Sequence, residues 1–341
     1  MKENIATVSR WVTVLVGIPA AMFLGKSFLV TFFVAIVLAM VFSPVKDWLI
    51  AKGLGRAWAV TACTFLLLLF FAALGGLLYY QMSLMAQDLP QMEQKASNLI
   101  DQAQQFVDQK FGIPPNEQTK KANQVAGRLG SYAATFFGSF TNTVADFLLM
   151  FAYFVLLLSH RREIEIFIIR CVEPGRKVLA HDLIYQARDT ASKYVWGMVK
   201  DIAALAVVYC IGFLIGGIKY PILLAVIAAL FSFLPYVGNI LGGGLAAIVA
   251  VLSGDPSSFL IVVGVMTVAQ LVENYALSPF LVGNAVGLNP MFSIISIIVL
   301  GGIWGLGGAI IALPLTGILR VAFKFSLHTL PLVELMGDDA S

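Results

Sequence analysis

Long apolar runs separated by short charged breaks make up most of this chain, and their length suits helices that cross a bilayer. The first runs cover 11–25 and 28–43, parted by Gly25 and Lys26, with Pro44 expected to end the second. A short loop with Lys46, Lys52 and Arg56 leads to a third span at 58–80. The pattern then turns polar over 81–135. There Leu89, Met92, Leu99, Ile100, Ala103, Phe106, Val107 and Phe111 recur at spacings near three and four, which predicts an amphipathic helix. Pro114-Pro115 ends it, and a weaker helical stretch follows at 117–135. A fourth span is expected at 136–158. The charged stretch 159–194, broken at Pro174-Gly175, reads as one or two amphipathic helices along the membrane surface. A fifth span is expected at 195–217.

Composition agrees with the pattern. The chain is 59% hydrophobic and 12% charged, about half the charge of a soluble domain. Few stretches alternate with a period of two, which argues against a β-barrel. The N-terminal run is followed at once by another, so it reads as a retained helix rather than a cleaved signal. Basic residues are scattered through the loops, so the net charge of +3 does not point to nucleic acid. Cys63, Cys171 and Cys210 are far apart, which suggests neither a disulfide framework nor a zinc site.

Lysine and arginine placement sets the expected orientation. Lys2, Arg10, the 44–57 loop, the 160–193 stretch, Arg320 and Lys324 fall on the cytoplasmic side, with both termini. The 81–135 insertion is then extracytoplasmic, as are the isolated Lys26 and Lys219. The tail at 326–341 is cytoplasmic.

The last third breaks the pattern from within. Between Pro221 and Leu319 there is no lysine or arginine, and the only acids are Asp255 and Glu273. Yet 222–252 is interrupted by Pro235-Tyr236-Val237-Gly238-Asn239, and 291–323 by GGIWGLGG at 301–308, with Pro314 beyond. Each is read as a re-entrant hairpin, the two entering from opposite sides of one full span at 258–280. Two short ordinary spans per segment give the same charge balance. The expected architecture is an all-α polytopic membrane protein. It has about six transmembrane helices plus two opposed hairpins, or eight spans, and a small helical extracytoplasmic insertion.

Polar residues at membrane depth are costly and mark candidate function. Gln270, Glu273 and Asn274 lie at i, i+3 and i+4, on one helical face, with Pro279 one turn beyond to free backbone carbonyls. A carboxylate beside two amides suits a proton, a sodium ion or a hydroxylated small molecule. The expected site joins these three residues to the hairpin tips, Pro235, Gly238 and Asn239 on one and Gly301, Gly302, Gly307 and Gly308 on the other. Asp201, beside Lys200, reads as half of a structural pair; Asp146 is a second secondary candidate. His160 and His181 read as surface residues. Neither HExxH, a P-loop nor GxSxG occurs, so an enzyme is not expected.

The series FLPYVGNILGG, QLVENYALSPFLVG, LNPMF and GGIWGLGGAIIALPLTGILRVAF resembles the AI-2E transporter family, membrane proteins related to autoinducer-2 exporters. The likeness spans nearly the whole chain. Pro235 and Gly238 match that family's first turn. Glu273, Pro279 and Gly283 match its acidic element, and Gly307, Gly308, Leu313 and Pro314 its second turn. Where the first turn often continues Gly-Pro, this chain has Gly238-Asn239. The resemblance implies a homo-oligomer that exports a small hydrophilic solute such as autoinducer-2, or a sodium/proton antiporter on the same fold. No bound cofactor is implied, and sodium ions or protons are the candidate coupling ions. A passive pore or membrane scaffold is the reading from another class.

Overall fold

The structure is a computed structural model that describes residues 17, 20–111, 146–233, 238–282 and 286–337. Most of the 11–25 span, Pro114-Pro115, the 117–135 stretch, the start of the fourth span, Pro235 and Gly283 lie outside the described residues. The helices are α1 (Lys26–Ala51), α2 (Arg56–Ala86), α3 (Leu89–Phe111), α4 (Asp146–Ser159), α5 (Arg161–Arg170), α6 (Lys177–Ile215), α7 (Pro221–Phe231), α8 (Gly238–Ser253) and α9 (Ser258–Val272). A π-helix (Glu273–Val282), α10 (Pro290–Phe323) and α11 (Leu330–Met336) follow. Among the described residues there is no strand, only an isolated bridge between Leu288 and Gly337. Five helical segments are long and apolar enough to cross a membrane: Lys26–Ala51, Arg56–Ala86, Pro174–Ile215, Ser258–Ser278 and Pro290–Phe323.

Two boundaries differ from the sequence expectation. Pro44 does not end α1, which continues to Ala51. Proline removes one backbone donor, but tertiary contacts hold the turns around it. Lys46 Nζ donates to the Leu158 carbonyl at 3.1 Å, Trp196 Nε1 donates to the Val41 carbonyl at 3.3 Å, and Arg161 bonds both Ser43 Oγ and Asp47. The helix ends at Gly53 instead. Its φ of 95° lets the Gly53 amide reach Ile50 O (2.9 Å) and the Leu54 amide reach Leu49 O (3.2 Å). Likewise the surface stretch and the fifth span are not separate. After the short turn at Pro174–Arg176, α6 runs unbroken for 39 residues, because its change from charged to apolar sequence contains no proline.

The chain forms two compact units, each gathered from separate stretches. The first takes Met1–Leu69, Asp146–Asp201 and Leu277–Ser341. Within it α10 packs on α1, and Trp304 Nε1 donates to the Met22 carbonyl at 2.9 Å while its ring stacks on Phe33. The LNPMF motif is a helix start. Asn289 Oδ1 accepts from the Phe292 amide at 2.9 Å, and Pro290 takes the first helical position, where no donor is needed. Asn289 Nδ2 also donates to the Leu335 carbonyl at 2.7 Å, which ties the start of α10 to α11.

The second unit takes Phe70–Ala145 and Ile202–Ala276. Its α7 and α8 have 11 and 16 residues, about 17 and 24 Å of helix against a hydrocarbon core of about 30 Å. They pack on each other, and α8 also packs on α9 and α3. Of the apolar positions named for the insertion helix, α3 buries Met92 while Leu89, Ile100 and Phe106 are exposed, and its Lys95 donates to the Gly254 carbonyl. Asp88, just before α3, pairs with Lys219 at 2.5 Å and accepts from the Tyr220 hydroxyl.

Candidate functional site

Glycine packing sets the frame of the second unit. A Cβ on Gly238 would fall 1.7 Å from the Phe231 carbonyl oxygen, and one on Gly242 2.8 Å from Ala228 Cα. These two glycines, four apart, let α7 and α8 touch backbone to backbone. Gly212 and Gly216 leave room for side chains of α9, where an added Cβ would meet Val265 Cγ1 at 2.5 Å and Ile261 Cγ2 at 2.3 Å. The last part of α6, the start of α8 and the end of α9 are thereby held close, and each brings one polar side chain.

Those side chains form a chain of hydrogen bonds. The Tyr209 hydroxyl donates to Asn239 Oδ1 at 3.2 Å. Asn239 Nδ2 donates to Gln270 Oε1. Gln270 Nε2 then donates to Glu273 Oε2 at 3.1 Å and to Asn274 Oδ1 at 3.0 Å. The polarity follows from the far end. With Glu273 as acceptor, Gln270 presents its nitrogen to Glu273 and its oxygen to Asn239. Asn239 must then present its oxygen to Tyr209.

Tyr209 is fully buried, and Asn239, Gln270 and Glu273 are partly buried. Asn274 is exposed. The carboxylate and the Asn274 carbonyl converge on one amide nitrogen. A monovalent cation, or the hydroxyl of a small solute, would take the place of that amide donor. Helix geometry changes at the same point, with α-type bonding giving way to a π-helix at Glu273. Such widened turns often occur at functional sites, and Pro279 within it cannot supply an α-type bond.

The structure thus brings together Asn239, Gln270, Glu273 and Asn274, with Gly238 packed against Phe231 beside them. Tyr209 was not singled out in the sequence. It sits among apolar residues of a span, and only its burial beside a break would have signalled it.

The remaining candidates belong to the first unit. Gly301 and Gly302 lie in the first arm of α10, and Gly307, Gly308 and the fully buried Pro314 in the second. Gly305, at φ 67° and ψ −149°, divides the arms. The arms fold back closely, since a Cβ on Gly308 would fall 2.1 Å from the Leu300 carbonyl oxygen. Asp146 is exposed at the start of α4. Asp201 is buried, and its Oδ1 has no hydrogen-bond partner, so the expected pairing with Lys200 is not present. Adjacent residues on a helix do not face each other. Among the described residues no cluster of three His, Cys, Asp or Glu could hold a metal ion.

Comparison with known proteins places this arrangement. Residues 12–328 match the model of the AI-2E family transporter. The chain is 23% identical over 309 residues to the "Putative transport protein YrrI" of Bacillus subtilis, covering 87% of this chain and 86% of that protein. It is 25% identical over 353 residues to the "Putative transport protein MT0215" of Mycobacterium tuberculosis, covering 98% and 93% respectively. A "Putative permease PerM" of Escherichia coli matches at 26% over 179 residues, 52% of this chain and 51% of that one. With a match over nearly its whole length and five helices fit to cross a membrane, the chain belongs to the AI-2E transporter family.

Proposed function

We propose that this protein is a secondary transporter that exports a small hydrophilic solute, such as autoinducer-2 or a related metabolite, across the cytoplasmic membrane. The observation that carries this reading is the hydrogen-bonded chain from Tyr209 through Asn239 and Gln270 to Glu273. Amides and a carboxylate in series suit a solute with several hydroxyls, because each group can exchange a neighbour's bond for one to the solute. A solute hydroxyl that accepts from Gln270 Nε2 and donates to Glu273 restores every bond it displaces. The α7–α8 pair enters the membrane as a re-entrant hairpin with Asn239 at its turn, and the α10 arms form its counterpart. Both termini face the cytoplasm, and the working form is a homo-oligomer.

A second reading, sodium/proton antiport on the same fold, is favoured by one observation. Glu273 and Asn274 direct two oxygens at the same point, a start for a cation shell. Burial raises a carboxyl pKa and a bound cation lowers it, so a single carboxylate can alternate between proton and ion.

Flux into proteoliposomes under imposed sodium and proton gradients separates these readings, using the wild type and Glu273→Gln. Saturable solute uptake without gradient-driven proton movement supports export. Proton movement that Glu273→Gln abolishes supports antiport. Unsaturable leakage that is equal in both proteins overturns the transporter reading in favour of a pore.

A further inference from the structure

A cavity of about 580 Å³ opens between α1, α4, α5 and α6 in the first unit, apart from the hydrogen-bonded chain described above. Its volume falls within the roughly 300–1,000 Å³ of sites that enclose small molecules. Phe32, Ile36, Met40, Leu157, Ile168 and Ile184 give it apolar walls. Phe32 to Met40 is more than two helical turns, about 12 Å along α1. Arg161, Arg188, Glu165 and His181 also border it.

The charges gather beyond Met40. Arg161 and Arg188 both reach Asp47, at 3.0 and 3.5 Å, and Lys46 lies beside it on α1. Two guanidinium groups therefore share one carboxylate, while Lys46 is turned to the Leu158 carbonyl. Glu165 makes no ion pair with either arginine and faces His181 at 3.3 Å. The site is an elongated apolar slot with an excess of guanidinium charge at one end. A neutral apolar occupant leaves that charge unanswered, and a free anion leaves the apolar walls unfilled. Guanidinium forks match phosphate oxygens, and basic pockets between membrane helices hold anionic headgroups.

We infer that this cavity binds an anionic phospholipid, with one acyl chain along the Phe32–Met40 face of α1 and its phosphate on Arg161 and Arg188. The lipid comes from the leaflet that borders the 44–57 loop. It seats between the surface helix α5 and the spans, so it fixes α5 against them.

Native mass spectrometry of the full-length protein tests this, after delipidation in neutral detergent and titration with phosphatidylglycerol or phosphatidylcholine. One phosphatidylglycerol is expected to remain per chain at concentrations where phosphatidylcholine does not. Arg188→Gln is expected to weaken retention about fivefold. Ala39 also lines the slot, and Ala39→Phe, which fills it and leaves every charge in place, is expected to abolish retention; Ile36→Phe serves the same purpose if Ala39→Phe does not fold. Equal retention of both lipids, or undiminished retention in the filled variants, overturns the proposal. So does thermal stabilisation by inorganic phosphate alone that equals the stabilisation by phosphatidylglycerol.

Discussion

The α7–α8 pair and the two arms of α10 are both closed by glycine, but they carry different side chains. At the first, Gly238 leaves no room for a Cβ against the Phe231 carbonyl. At the second, Gly308 leaves none against the Leu300 carbonyl, and Gly305 supplies a backbone angle that other residues avoid. The α10 arms pack Leu300, Trp304, Ile311, Ala312 and Leu315 into an apolar core, with one indole bond to a backbone carbonyl. The α7–α8 pair instead presents Asn239 to Gln270 and Tyr209. Tight closure of two short helices therefore needs glycine and apolar packing, not amides. Asn239 on α8 and Gln270 on α9 therefore answer to a different need, and the solute handling proposed above would supply it.

Substitutions that separate closure from chemistry test this contrast. The largest effect is expected from Gly238→Ala, because the obstructing atom is backbone and cannot turn aside. It should lower stability by about 3 kcal/mol or more, read as a fall in melting temperature in detergent. An unchanged melting temperature would mean that α7 and α8 are not in contact there. Gly305→Ala should cost about 1–3 kcal/mol through backbone strain, while flux per folded molecule stays at the wild-type level. Trp304→Phe removes one hydrogen bond and should cost about 1 kcal/mol, again without loss of flux per folded molecule.

The smallest effect lies outside both hairpins. Arg56 donates to both oxygens of Glu163, at 3.1 and 2.9 Å, and holds its carboxyl below the usual range. A depressed folded-state pKa stabilises above the unfolded value, about 4.3 for glutamate, and the gain disappears as pH falls through the folded value. Glu163→Gln should therefore melt slightly below the wild type at pH 7 and converge with it in acid. Glu163 is exposed, so the difference should shrink with added salt.

Much of this site could be read along one helix. Gln270, Glu273 and Asn274 share a face by spacing alone, and Gly238-Asn239 stood out as a polar break in an apolar run. Tyr209 did not, because its hydroxyl acquires a partner only when folding brings α6 to Asn239 at the start of α8. Pro44 was misleading for a similar reason. A local breaker was overridden by contacts from Arg161, Lys46 and Trp196, whose partners are mostly remote in sequence. In α6, a change of charge resembled a boundary, yet nothing in the backbone chemistry required one. Nor did composition announce the π-helix, which reflects where the bonding register shifts rather than which residues are present.

The most direct test is solute flux per folded molecule for Asn239→Leu beside Trp304→Phe, in proteoliposomes matched for folded protein. Asn239→Leu cuts the hydrogen-bonded chain at its middle, whereas Trp304→Phe perturbs only the apolar hairpin. If the chain handles solute, Asn239→Leu loses about tenfold in flux, the equivalent of one hydrogen bond, and Trp304→Phe keeps wild-type flux. Equal flux in both variants would contradict that role, and would reduce Asn239, Gln270 and Tyr209 to a polar staple between helices.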